Sequence, residues 1–229
     1  MWVLESKDLL ASEQCGFWKN CSTADHLVRV YSCIHNVFAK TTRSCHFLDL
    51  EKAHDTTWKH SILSDLYDLD FRGHLPTFID WFLSHQLFHV RAGSTLSDMY
   101  EQEMRVPQGS ILSLVLFSLK INNIVKSVSK GSEASLSVDD FALCIRAKSL
   151  PHAQGLMQLF VNSVQDWVSN NGFKFSTSKT DCMHFCNQHK HFAKPSILLD
   201  KNPIKVLTEA KFLGVIFDRT DPATVLSII

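Results

Sequence analysis

The spacing of apolar residues along the chain predicts alternating helical and extended segments. Apolar positions recur with helical spacing over residues 25–39, whereas residues 45–50 form an apolar run typical of a buried strand. The longest amphipathic pattern covers residues 151–170, and Asn171-Gly172 predicts where that helix ends. The other predicted elements are a helix ending near Gly73, a helix from Pro76, a hairpin of residues 88–91 with 100–105, a buried helix over about 110–128, two short strands within 134–145, and strands at 182–186, 197–199 and 212–217.

This order of elements indicates the fold class. A strand, helices, a hairpin, a helix, a second hairpin, a helix and further strands follow one another without a repeat or a low-complexity linker. Such an order is typical of an α+β domain in which helices pack on one face of an antiparallel sheet.

Two acidic sites interrupt the apolar pattern. Asp49 lies in the run Phe47-Leu48-Asp49-Leu50, and Asp139-Asp140 lies between the two short strands of the second hairpin. A buried carboxylate is costly unless a partner compensates its charge. A divalent cation is one such partner, since hard cations prefer oxygen ligands. Taken alone, however, an Asp-Asp pair usually marks an exposed turn.

Composition limits the remaining choices. The chain has 229 residues, is 45% hydrophobic, and balances 23 Lys and Arg with 23 Asp and Glu. A neutral chain is unusual for a nucleic-acid-binding protein, although local charge patches matter more than the total. No signal peptide or membrane span is recognisable, so we expect an intracellular, non-secreted protein, in the nucleus or the cytoplasm. Its seven cysteines are accordingly predicted to be reduced thiols.

Other kinds of site find less support. A zinc site is suggested by one cluster of soft ligands, yet its spacing matches no common structural zinc pattern, so zinc is not favoured. The cluster comprises Cys182, His184, Cys186, His189 and His191. The chain also lacks a nucleophile elbow of the serine hydrolases and a phosphate-binding Gly-rich loop.

Six ordered blocks carry a resemblance to a known family. The blocks are Gln14-Cys15-Gly16-Phe17 with Ser22-Thr23-Ala24-Asp25, then Phe47-Leu48-Asp49-Leu50-Glu51-Lys52-Ala53-His54-Asp55, Val106-Pro107-Gln108-Gly109-Ser110-Ile111-Leu112-Ser113, Val138-Asp139-Asp140, Gly172-Phe173-Lys174-Phe175-Ser176 through Lys179-Thr180, and Lys211-Phe212-Leu213-Gly214-Val215. In this order they resemble the reverse transcriptases of non-LTR retrotransposons, particularly the jockey-like group, over about residues 10–218.

The resemblance implies an RNA-directed DNA polymerase that uses a two-metal nucleotidyl-transfer mechanism. Asp49 and Asp139 would be the main ligands for Mg²⁺, or for Mn²⁺ in its place, with Asp140 beside them. Lys179 would assist pyrophosphate departure. The implied partners are an RNA template, a DNA primer and dNTP, with no membrane; the oligomeric state is not implied.

The resemblance also implies a set of substrate-binding positions. The Leu50 carbonyl would add a metal ligand, and His54 would lie beneath the sugar. Gln108 and Gly109 would follow the template and the incoming nucleotide, and Phe212-Leu213-Gly214 would position the primer end. The implied domains are a partial fingers segment at 1–44, a polymerase palm at 45–218 and an unrelated tail at 219–229, with the thumb missing.

The chain departs from the family pattern at several positions. His54 replaces an aromatic residue, Arg105 a glycine, Leu114 a proline and Ser137 an aromatic residue, and Trp18 stands where an arginine is expected. We expect a truncated retroelement copy with impaired activity. The alternative is a catalytically inactive reverse-transcriptase-like remnant that acts at most as an interaction module.

Overall fold

The computed structural model describes most of the chain, namely residues 4, 7, 9–14, 16, 21–35, 42–102, 104–107, 109–128, 132–185, 196–219 and 226–228. The chain divides into two compact units. The first, here called the helical unit, comprises Met1–Leu10 and Lys52–Ile121, and the second, the sheet unit, comprises Ala11–Glu51 and Asn122–Ile229. The predicted division into fingers segment, palm and tail stays a prediction.

The sheet unit is built on a five-stranded sheet. Its strands are β1 (Thr42–Asp49), β6 (Ser132–Ser137), β7 (Asp140–Ala147), β8 (Asp181–Phe185) and β11 (Lys205–Leu207). Their order across the sheet is β11-β8-β1-β7-β6, and every neighbouring pair is antiparallel except β8 and β11. The smaller strands of this unit are β9 (Leu198–Leu199) and β10 (Asn202–Pro203), which pair with each other, and β12 (Glu209–Phe212), β13 (Val215–Asp218) and β14 (Leu226–Ile228), which form a three-stranded sheet.

Alternation along the central strands creates two different faces of the five-stranded sheet. One face packs against helix α1 (Thr23–His35) and the three-stranded sheet. This buried cluster includes Cys45 and Phe47 of β1 and Ala142 and Cys144 of β7. Helix α6 (Leu150–Asn170) contacts β1 and β7. Because the first face is already covered, α6 covers the face formed by the intervening residues.

Helix α6 closely follows the sequence pattern. Most of its apolar stripe is buried, although Leu159 is 64% exposed. A proline lies in its first turn, and the chain leaves the helix at Asn171, followed by Gly172 with φ 76°. The left-handed conformation of Gly172 is the usual way for a helix to end. The predicted fold class, an α+β palm with an antiparallel sheet, is confirmed.

One predicted strand is wrong. Residues 212–217 were expected to form a single strand, but Leu213 and Gly214 form a turn with φ values of 48° and 82°. The turn joins β12 to β13, and Phe212 pairs with Val215 across it. A turn with positive φ at both central residues matches the twist of a hairpin. Gly214 was the sequence signal for the turn. The apolar residues on both sides of Gly214 made the segment resemble one continuous strand.

The prediction of fully reduced cysteines is also wrong. Cys45 and Cys144 form a disulfide between β1 and β7, and Cys21 is disulfide-bonded as well. Cys45 lies directly opposite Cys144 in the strand register, with 4.2 Å between their Cα atoms. The sequence could not reveal this neighbourhood, because it depends on the register of two strands that are distant along the chain.

Buried histidines make the stability of the sheet unit sensitive to acid. His46 of β1 is fully buried, and among the described residues neither of its ring nitrogens has a hydrogen-bond partner. Burial, assisted by the nearby His184, lowers the pKa of His46 to about 3. Burial and Arg219 lower the pKa of His184 to about 4. Both rings are therefore neutral in the folded protein at pH 6.

Lowering the pH from about 6.5 to 4 is expected to lower the free energy of unfolding, by up to about 1.4 kcal/mol per pH unit for each histidine. The sign follows because the unfolded chain binds these protons first, so the stabilisation is complete above the unfolded pKa and is lost towards the folded pKa. His46→Leu should flatten this dependence in urea unfolding. The control is His152→Leu, which alters an exposed histidine of α6. Equal slopes in the two variants would contradict the prediction.

The helical unit contains short helices and a long hairpin. Its helices are α2 (Ala53–Thr56), α3 (Lys59–Asp68), α4 (His74–Leu83) and α5 (Ile111–Asn122), the last of which ends at the unit boundary and continues as a 3₁₀ helix, Asn123–Ser127. Its strands are β2 (Leu87–Phe88), β3 (Arg91–Ala92), β4 (Thr95–Leu96) and β5 (Tyr100–Glu101). Strand β2 pairs with β5 and β3 with β4, so the predicted hairpin with Gly93 at its tip is confirmed. None of the helices that the structure describes is long and apolar enough to cross a membrane.

Arg105 adopts a backbone conformation that suits glycine. Its φ is 112°, where residues with a side chain are rarely found. The conformation is held by hydrogen bonds from Arg105 N to the carbonyl of Thr57 and from Val106 N to the carbonyl of His54. Its guanidinium lies 3.6 Å from Asp55, in an ion pair that is largely exposed. The backbone is therefore strained at this departure from the family pattern.

Arg105→Gly is expected to raise the free energy of unfolding by about 1 kcal/mol, because relief of the backbone strain outweighs loss of an exposed ion pair. Urea unfolding would measure the change. Arg105→Ala is the matched control, since it removes the same ion pair and keeps a Cβ. An Arg105→Gly variant no more stable than Arg105→Ala would show that the backbone is not strained.

Candidate active site

The ends of two neighbouring strands bring the predicted carboxylates together. Asp49 is the last residue of β1, Asp140 is the first residue of β7, and the two are direct partners in the antiparallel register. They project from the same face as Cys45 and Phe47, because side chains alternate along a strand. Two carboxylates placed directly opposite each other repel, so this end of the sheet favours a cation between them.

A two-residue turn carries the third carboxylate. Ser137 pairs with Asp140, which leaves Val138 and Asp139 as the loop between β6 and β7. Val138 has φ 62°. This value is rare for a β-branched residue, and such strain persists only where the surrounding structure enforces it. The predicted hairpin with its acidic pair at the turn is confirmed, with Asp139 in the loop and Asp140 at the start of the strand.

The electrostatics of the site reflect the crowding of negative charge. Burial raises the pKa of Asp140 to about 6, and the charges of Asp139 and Asp49 act in the same direction, while Lys179 opposes them. The Lys179 ammonium lies 3.5 Å from Oδ2 of Asp49. This oxygen is buried and accepts no hydrogen bond from any described residue. Carboxylate oxygens are the ligands that hard divalent cations prefer, and Oδ2 of Asp49 has acceptor capacity left for one.

Backbone pairing explains why Lys179 reaches Asp49. Ser176 N donates to the carbonyl of Asp49 at 2.8 Å, and Leu50 forms an isolated bridge with Phe175. A tight turn then follows, in which Thr180 N donates to the carbonyl of Ser176. Residues 175 and 176, which follow α6, are thus hydrogen-bonded to the end of β1. The side chain of Lys179 is 69% exposed, so its charge remains available to a substrate.

The other predicted site residues are placed differently. Leu213 and Gly214 form the β12–β13 turn, and Phe212 is the last residue of β12 before it. The Phe212 ring lies 5.2 Å from the ring of Phe47, two residues before Asp49. His54 and Gly109 belong to the helical unit. There the His54 ring packs 4.2 Å from the Phe117 ring, and Gly109 has φ 95°. Gln108 lies outside the described residues. The roles assigned to these residues stay predictions.

The soft-ligand cluster of β8 is seen only in part. Cys182 and His184 share one buried face of the strand, as predicted, and the other three members lie outside the described residues. Burial raises the pKa of the Cys182 thiol to about 12. With only two of its five members described, the cluster does not test the zinc interpretation, which stays a prediction.

One acidic residue near the site was missed. Asp181 begins β8 and pairs with Phe47, so it lies on the same face as Asp49. Burial raises its pKa, and Lys205, its partner on β11, lowers it. The signal available in the sequence was an acidic residue at a strand end, two positions after Lys179. The sequence did not show that Asp181 lies near Asp49, because this depends on the register of β1 and β8.

The chain matches a protein-family model and curated proteins over nearly its whole length. The family model described as reverse transcriptase (RNA-dependent DNA polymerase) matches residues 2–217. The chain is 25% identical over 225 residues to the probable RNA-directed DNA polymerase from transposon X-element of Drosophila melanogaster, covering 95% of this chain and 24% of that protein. It is 26% identical over 215 residues to the RNA-directed DNA polymerase from mobile element jockey of Drosophila funebris, covering 90% and 23%.

Solved structures share the fold at low sequence identity. Telomerase from Candida tropicalis, in complex with a fragment of telomeric RNA, superposes with a TM-score of 0.63 at 14% identity, over 95% of this chain and 35% of that one. Apo telomerase from the same species, truncated from the C-terminal domain, gives 0.60 at 10% identity, over 95% and 41%. The chain spans about a quarter of the length of the curated relatives it matches. With a family match over nearly its whole length, the chain belongs to the reverse transcriptases and is a reverse transcriptase domain of the transposon type.

Proposed function

We propose that this chain carries the catalytic carboxylates of an RNA-directed DNA polymerase and adds deoxynucleotides to a DNA primer on an RNA template. The observation that carries the proposal is the register of β1 and β7, which places Asp49 against Asp140 with Asp139 in the adjoining turn. Reverse transcriptases use divalent metal ions. We propose Mg²⁺ as the physiological ion, with Mn²⁺ able to replace it.

The residues of the site have separable roles in this proposal. Asp49 and Asp139 hold the divalent ions, and Asp140 stands beside them with a carboxyl that ionises fully once a cation offsets the neighbouring charges. Divalent ions held there would lower the pKa of the primer hydroxyl and stabilise the charge on the attacking and leaving oxygens. Lys179 offers a mobile positive charge to the departing pyrophosphate.

Primer extension by the purified chain on an RNA template tests the proposal. Extension should require a divalent cation and should disappear in the double variant Asp139→Ala, Asp140→Ala. Equal activity in that variant would refute it. A wild-type chain that folds and binds Mn²⁺ at these carboxylates but never extends a primer would instead support the inactive remnant, which the strained Arg105 backbone favours.

His54 is expected to weaken the rejection of ribonucleotides. At the position where the family carries a large aromatic ring, this chain has a smaller polar ring, packed against Phe117. His54→Phe should therefore raise the preference for dNTP over rNTP, measured as the ratio of kcat/KM values for the two. His60→Phe, an exposed histidine of α3, is the control. An unchanged ratio in His54→Phe would count against the assigned role.

A further inference from the structure

The segment that contains Glu13 and Gln14 docks onto β6, the strand that leads into the Val138-Asp139 turn, here called the catalytic turn. Gln14 forms a parallel bridge with Leu136 of β6, and Leu136 N donates to the carbonyl of Glu13 at 3.0 Å. Strand β6 is the outermost strand on this side of the five-stranded sheet. The segment therefore extends the sheet beside the hairpin that carries Asp139.

Gln14 shapes this segment from within. Its side chain is fully buried, and Oε1 accepts a hydrogen bond from Gly16 N at 3.1 Å. Its Nε2 is buried and has no hydrogen-bond partner among the described residues. Burying an amide donor without a partner lowers the stability of the folded chain, although Oε1 of the same amide is satisfied by Gly16 N.

A side chain at Gly16 would be crowded by its neighbours. The φ of Gly16 is not in the left-handed region, so the backbone conformation alone would admit other residues. A Cβ at Gly16 would lie 3.0 Å from Cγ2 of Val138, 3.1 Å from the backbone N of Val138 and 3.2 Å from Oε1 of Gln14. Two of these atoms cannot move away easily, because one is backbone and the other is the buried amide that fastens the segment.

The atom that Gly16 approaches belongs to the catalytic turn itself. Val138 directly precedes Asp139, and its φ of 62° is a strained value that something must enforce. We propose that Gly16, fastened by Gln14, is a positioning residue that holds the Val138-Asp139 turn and thereby sets Asp139 against Asp49 and Asp140. This inference rests on the proposed function and adds to it the device that fixes the turn.

Gly16→Ala in the full chain tests the inference, with Gly155→Ala as the matched control. Gly155 lies in α6, where a Cβ would meet nothing within 4 Å. We expect Gly16→Ala to weaken Mn²⁺ binding, measured by calorimetry, about 10-fold, the lower end for loss of a group that orients a metal ligand. We expect Gly155→Ala to leave it unchanged. In primer extension kcat should fall while KM for dNTP stays nearly unchanged, because the substitution displaces a proposed metal ligand.

A rescue variant separates positioning from general destabilisation. Val138→Gly removes Cγ2 and makes the positive φ readily accessible. In the double variant Gly16→Ala, Val138→Gly, Mn²⁺ affinity should recover in part relative to Gly16→Ala, because Cγ2 of Val138 is removed while the backbone N of Val138 and Oε1 of Gln14 stay close. A Gly16→Ala chain that unfolds more easily but binds Mn²⁺ as tightly as the wild type would overturn the inference, as would a double variant no better than Gly16→Ala.

Amide hydrogen exchange keeps the test independent of the proposed function. If Gly16 holds the turn, the amides of Val138, Asp139 and Asp140 should exchange faster in Gly16→Ala than in the wild type. Their exchange rates should be unchanged in Gly155→Ala. If the wild-type chain binds no Mn²⁺, the proposed function fails, and faster exchange still supports the positioning role. Unaltered exchange at these three amides would refute that role whatever the metal result.

Discussion

Replacing Asp49 with asparagine is expected to lower the rate of primer extension more than about 100-fold, beyond the usual loss for a group that only orients a metal ligand. The chain should stay folded, because the substitution keeps the shape of the side chain and removes a charge that opposes Asp140 across the sheet. The pKa of Asp140 should fall towards its ordinary value for the same reason. Single-nucleotide extension at saturating Mg²⁺ measures the rate, and urea unfolding measures the stability of the variant.

Glu51→Gln is the matched control for this substitution. Glu51 is an exposed acidic residue two positions after Asp49, in the same unit of the chain. Its replacement should leave extension within about two-fold of the wild type, as expected for an exposed site without a partner in the chemistry. Full activity in Asp49→Asn would remove Asp49 from the metal site. Loss of activity in both variants would show that the combined negative charge of Asp49 and Glu51, and not Asp49 alone, supports extension.

Lys120→Met is expected to lower the free energy of unfolding by about 3–5 kcal/mol, the cost of leaving one charge of a buried ion pair without its partner. Nζ of Lys120 lies 3.1 Å from Oδ2 of Asp65, and the two side chains are only 4% and 14% exposed. Lys120 belongs to α5 and Asp65 to α3, so the pair joins two helices within the helical unit.

Removing both charges separates desolvation from attraction. The double variant Asp65→Leu, Lys120→Met should recover most of the stability lost in Lys120→Met, since apolar residues of similar volume often replace a buried pair without penalty. Arg72→Met provides a surface comparison. It breaks the exposed pair with Asp70 and should cost less than about 1 kcal/mol. A Lys120→Met variant as stable as Arg72→Met would show that the buried pair contributes little.

The sequence predicted elements well where one residue pattern determines them. Helix α6 was expected at 151–170 and runs Leu150–Asn170, because its apolar stripe and its terminal Asn171-Gly172 are local signals. The turn between β6 and β7 was found for the same reason. The carboxylates were recognised as a set through the order of their motifs, and the structure supplied the register that brings Asp49 and Asp140 together.

Features that depend on distant residues could not be predicted. The disulfide of Cys45 with Cys144 and the proximity of Asp181 both follow from strand register, which a single sequence does not specify. The close approach of Gly16 to Val138 is likewise a matter of tertiary packing. In contrast, the strain at Arg105 could be anticipated, because the family pattern places glycine there and the backbone has kept the conformation of a glycine.

The pairing of β1 with β7 also bears on how the chain acquires its site during synthesis. Asp49 and Asp140 are about 90 residues apart in sequence, so the strands that carry them pair late, after a long loop has closed. At the usual pace of translation, roughly 5–20 residues per second, β1 waits several seconds for β7 to be made. Throughout that interval the growing chain has an apolar strand without its partner and no place to bind a divalent ion. An unpaired apolar strand is prone to aggregate, so this topology exposes the growing chain to that hazard until β7 is made.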